Sequence, residues 1–169
     1  EGIFDTFTAA TGATVKVVTS GDTGALISKA ILTAGTPEGD VLWGIDNTLL
    51  SRAQKADLLT SYEPVDYGDI CVNYDKQWFT TRNIAPPASL EDLALPTYKN
   101  LLTVQDPVAS SPGLGFLLGT IAHFGADNWE GYWKSLKTNG VHIAPDWTTA
   151  YTIDFSGSSG KGKYPLVVS

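Results

Sequence analysis

Apolar and polar positions change rhythm several times along this chain, and each change marks an element. In residues 2–11, Ile3, Phe4, Phe7 and Ala10 fall near one face of a helix. Gly12 stops that helix, and "TVKVVT" (14–19) predicts a strand with Val15, Val17 and Val18 apolar. "SGDTGALISKAILTAG" predicts a loop, a capped helix start and a helix ending at Gly35. "GDVLWGIDN" reads as a short buried strand closing in a polar turn, and "NTLLSRAQKADLL" as the helix after it. This β-α-β-α alternation predicts an α/β sandwich with parallel strands.

From Val65 the texture shifts. "VDYGDICVNYDKQWF" is β-rich, "PPASLEDLALPTYKN" carries a Ser89-to-Asp92 helix start, and "LLTVQDP" predicts another strand. A helix opens in "ASSPGLGF", and a second one over about 128–138 carries Trp129, Tyr132 and Trp133 on one face. "GVHIAP" predicts a strand, "DWTTAYTIDFSGS" a helix running into a glycine-serine loop, and "YPLVVS" a last strand with nothing to cover it. The chain therefore divides into two α/β lobes, 1–64 and 65–169, the second of which ends abruptly on its sheet.

Composition narrows the chemistry. The chain has 169 residues, 43% of them hydrophobic and 17% charged, which suits one domain or two small lobes with a real core. No apolar run reaches the ~20 residues that span a bilayer, and no basic segment precedes an apolar one as in a signal peptide. Net charge is −7 with 11 Lys and Arg and no basic cluster, so nucleic acid is set aside as a partner. Cys71 is the only cysteine, which rules out an internal disulfide and any multi-thiolate metal site. Its alternating apolar surroundings read as those of a small buried hydrophobe. His123 and His142 lack the spacing of metal ligands, and His123 reads as a hydrogen-bonded core or surface histidine.

Few motifs point to chemistry. "GSSGKGKY" (157–164) resembles a phosphate-binding loop but has Tyr164 where a hydroxyl should hold magnesium. Pro165 and "LVVS" follow where a helix should open, so a surface turn fits better. No serine has an evident histidine partner, and nothing forces an enzyme. "ASSPGLGF" is more telling. Serine caps helices well, proline fits the first turn, and the free N–H groups of a helix start attract anions. Ser110 and Ser111 add two hydroxyl donors, while Gly113 and Gly115 permit close approach. A plain cap and an anion cradle both remain open on these residues alone. "SGDTGALI" is a start of the same kind, with Asp22 or Thr23 as cap; Asp22 and Asp46 would offer carboxylates to a cation. Trp147 and Tyr151 lie one helical turn apart, either as core or as a stacking wall for a flat or cationic ring.

Taken together, "GDVLWGIDNTLLSRA", "VDYGDICVNYDK", "DPVASSPGLGFLLGTIAHFG" and "DFSGSSGKGKYPLVVS" resemble the substrate-binding proteins of thiamine ABC transporters, a branch of the type II periplasmic binding proteins. The resemblance implies a partial two-lobe α/β fold with a ligand cleft between the lobes, an extracytoplasmic (periplasmic or cell-surface) location and no catalysis. It implies thiamine or a thiamine phosphate as transported ligand, no cofactor, a monomer, and an ABC transporter permease as partner. Matched residue by residue, Ser110 and Ser111 correspond to the loop holding the phosphate or hydroxyethyl end, and Trp147 to the tryptophan beside it. Asp22 and Thr23 correspond to a first-lobe polar loop, Asp46 to a cleft-lining turn and Tyr151 to the tyrosine of a W-x-x-A-Y motif.

Against that pattern, the chain starts inside the first helix, joins "YEPVDYG" without an additional loop, and stops before a tyrosine-bearing segment and a late tryptophan. The resemblance thus implies a partial copy of a longer protein. The nearest alternative keeps the fold and binds an organophosphonate, a polyamine or ferric iron, though the adjacent tyrosines that suit iron are absent. A phosphate-handling enzyme built on "GSSGKGK" fails on context, and a purely structural interaction module is a third possibility.

Overall fold

The computed structural model describes residues 2–158 and 160–169. Ten regular elements organise it: α1 (Asp5–Thr11), α2 (Thr23–Leu32), α3 (Leu50–Lys55), β1 (Val72–Tyr74), α4 (Lys76–Arg82), β2 (Leu102–Gln105), α5 (Ser111–Phe124), α6 (Trp129–Thr138), β3 (His142–Ala144) and β4 (Leu166–Val168). Two 3₁₀ turns, Asp92–Ala94 and Pro96–Tyr98, precede β2, and a π-helical segment, Thr149–Asp154, lies between β3 and β4.

The four strands form one sheet in the order β1-β4-β2-β3. β2 runs parallel to both β3 and β4, and β1 runs antiparallel to β4. Alternation along the strands then sorts side chains onto two faces. Leu102, Val104, Leu166 and Val168 point to one face and pack with Phe79 of α4, Phe116 of α5, and Tyr132 and Leu136 of α6. Thr120 ties α5 to α6, accepting from Trp133 Nε1 at 2.8 Å while donating to Leu117 O. Val167 and Ala144 point to the opposite face, where Ala150 and Phe155 of the π-helical segment and its end cover them.

Several expectations change at this level. β4 is an interior strand, fully buried and paired on both sides, so the uncovered last strand read from "YPLVVS" is corrected. The two strands expected before residue 50 are absent: 14–19 and 41–45 form no regular structure, with Val17, Val41 and Trp43 largely exposed. Pairing needs a neighbouring strand, and among the described residues none lies beside them. The apolar face expected on 2–11 becomes α1, which buries no residue. Among the described residues the first 64 positions therefore carry helices without a sheet, and Ile27, Leu49 and Ala53 are buried there. Cys71, expected to be buried, is exposed; its backbone pairs with Ser169 beside β1 and β4. In "VDYGDICVNYDKQWF" the strand is only three residues long, because Asp75 caps α4 by accepting from Trp78 N at 2.9 Å.

Other expectations hold. α2, α5 and α6 start and stop close to the expected positions, and β2, β3 and β4 fall on the three expected strands. Asp92 accepts from the N–H groups of Ala88 and Ser89, and Ser89 Oγ accepts from Asp92 N, which completes the anticipated start. "GSSGKGKY" opens no helix. It is a turn whose Tyr164 bridges to Phe155, and Ser159 within it lies outside the described residues. His123 is an exposed surface residue paired with Glu91 Oε1 at 2.7 Å.

Candidate functional site

The start of α5 sits where β2 ends, at the carboxyl edge of the parallel strands, the usual place for a ligand crevice in such sheets. The loop between them is tightly built. Asp106 N donates to Ala144 O of β3 at 2.8 Å; Asp106 O accepts from Ala109 N and Ser110 N; Asp106 Oδ1 accepts from Val108 N at 2.8 Å. The first turn of α5 presses on the strand end so closely that a Cβ on Gly113 would lie 2.4 Å from Gln105 O.

Ser110 occupies the N-cap position with extended backbone, φ −125° and ψ 131°, yet its hydroxyl makes no cap bond. Pro112, two residues on, has no N–H to offer it. Ser110 is 0% and Ser111 5% exposed, and neither hydroxyl has a hydrogen-bond partner among the described residues. Two buried unpaired hydroxyls cost about 1–3 kcal/mol each, which a plain capping role would avoid. They stand at the positive end of a 14-residue helix, where donors and dipole both favour an anion.

The start of α2 is brought against this loop. Gly24 N donates to Ala109 O at 2.9 Å, and a Cβ on Gly24 would lie 2.3 Å from Val108 O. Asp22 caps α2, its Oδ1 accepting from Thr23 N at 2.9 Å, and its Oδ2 accepts from Trp147 N at 3.0 Å. Thr23 Oγ1 donates to Gly44 O at 3.0 Å, linking α2 to the turn that holds Asp46. Asp46 Oδ1 is engaged locally by Thr48 N and Thr48 Oγ1 at 3.0 and 2.6 Å, ahead of α3. Trp147 and Tyr151 are both half-buried and stack on each other, centroids 5.0 Å apart and planes within 9°.

Asp22, Thr23 and Trp147 thus converge with the loop that leads to Ser110 and Ser111, and Tyr151 joins through the stack. Asp46 lies one hydrogen bond removed, through the turn that Thr23 holds. Sequence reasoning missed three contributors. Ser169 Oγ accepts from Trp147 Nε1 at 2.9 Å. Gln105 is 1% exposed with an unpartnered Oε1, and its Nε2 donates to Val168 O at 2.6 Å. Gly24 allows the close approach of α2. A glutamine ending an apolar strand, a serine after a strand and a glycine inside a helix start carry no local signal of these contacts. No group of three or more His, Cys, Asp or Glu able to hold a metal occurs among the described residues.

Comparison with known proteins gives a consistent picture. Residues 14–168 match the family described as bacterial extracellular solute-binding protein. The chain is 29% identical over 163 residues to the thiamine-binding periplasmic protein of Salmonella typhimurium, covering 86% of this chain and 48% of that one. It is 30% identical over 165 residues to the Haemophilus influenzae protein of the same description, covering 86% and 46%. Among solved structures, a periplasmic thiamin binding protein superposes with a TM-score of 0.75 at 25% identity, covering 96% of this chain and 54% of that one. A second structure, the periplasmic binding protein P5PA, shares the fold with a TM-score of 0.59 at 16% identity. The chain spans about half the length of the curated relatives it matches.

Proposed function

The chain belongs to the bacterial extracellular solute-binding protein family, and from that premise we propose that it captures thiamine or a thiamine phosphate outside the cytoplasm for an ABC importer. The observation that carries this reading is the pair of buried, unpartnered hydroxyls of Ser110 and Ser111 at the start of α5. A phosphate or hydroxyethyl oxygen seated there would supply the missing partners. The Trp147–Tyr151 stack offers a flat π surface to a cationic ring, and the chain's net charge of −7 favours a cation over an anion at long range. Thr23 and Asp46 line the approach from the side of α2.

In this reading residues 1–64 and 65–169 act as two lobes, and the solute is held when they close on it. The protein performs no chemistry of its own, works as a monomer outside the cytoplasmic membrane and delivers its cargo to a permease. No described helix is long and apolar enough to cross a membrane.

Thermal shift and calorimetry with thiamine and its two phosphates test the reading. Ligand at about 100 times its dissociation constant stabilises a protein by about 2.7 kcal/mol. A combined Ser110→Ala, Ser111→Ala variant is expected to fold as well as the parent, since no existing hydrogen bond is lost. It should weaken thiamine phosphate roughly tenfold or more, and thiamine less. Equal losses for both ligands would remove the phosphate role, and no shift with any of the three would remove the solute.

A further inference from the structure

The first N–H groups of any helix lack partners inside it. The start of α2 and the turn at Trp147, 125 residues later, share one side chain as acceptor. Asp22 Oδ1 accepts from Thr23 N at 2.9 Å and Asp22 Oδ2 from Trp147 N at 3.0 Å. One carboxylate therefore caps α2 and holds the Trp147 N–H from a distant part of the chain, while Asp146 Oδ1 accepts from Thr149 N at 2.7 Å at the start of the π-helical segment. The positive end of α2 favours the Asp22 charge. Beyond it, the indole is fixed on two sides. It stacks on Tyr151, and its Nε1 donates to Ser169 Oγ at 2.9 Å. Ser169 is in turn bonded to the Cys71 backbone in both directions, at 2.7 and 3.0 Å, beside β1 and β4. A continuous set of contacts runs from α2 through Trp147 to the sheet.

We propose that Asp22 is a positioning residue: a clasp that joins α2 to the Trp147 turn and sets where the indole stands, without touching the solute. Both of its oxygens already accept from backbone N–H groups, and each oxygen serves a different segment. Asparagine replaces one of these oxygens by an NH₂ donor, so with its oxygen on one N–H its NH₂ faces the other N–H and that bond is lost. Only the affinity arm of the test below rests on the thiamine reading.

Amide hydrogen exchange decides the clasp directly. Asparagine is itself a good N-cap, so Asp22→Asn keeps α2 folded and isolates the second contact. In Asp22→Asn the Trp147 amide should exchange roughly tenfold faster, with amides inside β2 and β4 unchanged. Asp22→Ala should speed exchange at both Thr23 and Trp147. Unchanged exchange at Trp147 in both variants overturns the clasp. Thiamine affinity then separates positioning from contact. If Asp22 acts through the indole, Asp22→Asn weakens binding in the parent but adds little to Trp147→Phe. Additive losses mean that Asp22 meets the solute itself, and overturn the proposal. Absence of thiamine binding in the parent protein defeats the solute reading and leaves exchange at Trp147 to decide the clasp.

Discussion

Val17 and Val18 and, near the other end, Val167 and Val168 are adjacent valines in short apolar runs with the same appetite for extended structure. The second pair is fully buried in β4, between β1 and β2, with strand partners on both sides. The first pair is 67% and 47% exposed in an irregular segment that pairs with nothing described. Intrinsic preference is equal in the two places, so the difference lies in neighbours. Strand propensity is largely a measure of fit to a half-buried pleated surface, and it becomes a strand only where such a surface exists. The same contrast explains why Val41 and Trp43 stay exposed while residues 102–105 are buried.

The sharpest way to break this comparison is to remove apolar volume from both runs. Leu166→Ala deletes a fully buried side chain in the interior strand and should cost about 3 kcal/mol. Val17→Ala should change stability by less than about 0.5 kcal/mol, as substitutions at open surface positions do. Urea denaturation of the two variants measures both. A comparable loss at Val17 would mean that 14–19 is packed in solution, and the contrast between the regions would vanish.

Helix starts were legible in the residues because their signals are local. Asp22 and the Ser89–Asp92 pair each sit within a few positions of the N–H groups they accept from, and the spacing of Trp147 and Tyr151 put them on one face; α4 and its Asp75 cap were hidden inside a stretch that reads as β-rich. Strands were legible only where partners happened to exist, which no local pattern reveals. Within the site, the serine-proline start of α5 was visible, but its unused cap was not. Whether a hydroxyl bonds its own helix depends on backbone geometry that Pro112 and the pressed Gly113 impose. The Asp22–Trp147 bond, spanning 125 residues, lay beyond any local pattern.

A smaller effect tests the junction between the two regions. Gly24→Ala places a Cβ 2.3 Å from Val108 O and 2.6 Å from Ala109 O, both rigid backbone atoms. Alanine favours helices over glycine by about 1 kcal/mol, but α2 must shift off the loop, so a net loss of about 2 kcal/mol is expected. Gly119→Ala on α5, where a Cβ meets nothing within 4 Å, should instead stabilise by roughly 0.5–1 kcal/mol. Thermal melting of the pair gives opposite signs if α2 is seated as described. A gain at both positions would show the junction to be loose.

Caps sharpen the comparison most finely, because Asp22 and Asp75 do similar work on the two sides of it. Asp75 Oδ1 accepts from Trp78 N, and Oδ2 accepts from Ser156 Oγ at 2.6 Å, joining α4 to the end of the π-helical segment. Burial acts to raise its pKa, but the Ser156 hydroxyl, the N–H groups of Trp78 and Gln77, and the charge of Arg82 outweigh it. The carboxyl is thereby held below its ordinary 3.8. A depressed folded value means that the stabilisation is complete above the unfolded value and is lost as pH falls through the folded one. Asp75→Ala should cost about 1 kcal/mol at neutral pH. Asp75→Asn keeps the cap and removes the charge, so the parent's advantage over it should be full above the unfolded carboxyl's ordinary 3.8 and shrink as pH falls below it. Denaturation of both proteins across that window checks the sign. An advantage that grows on acidification would mean that burial, not hydrogen bonding, controls this carboxylate.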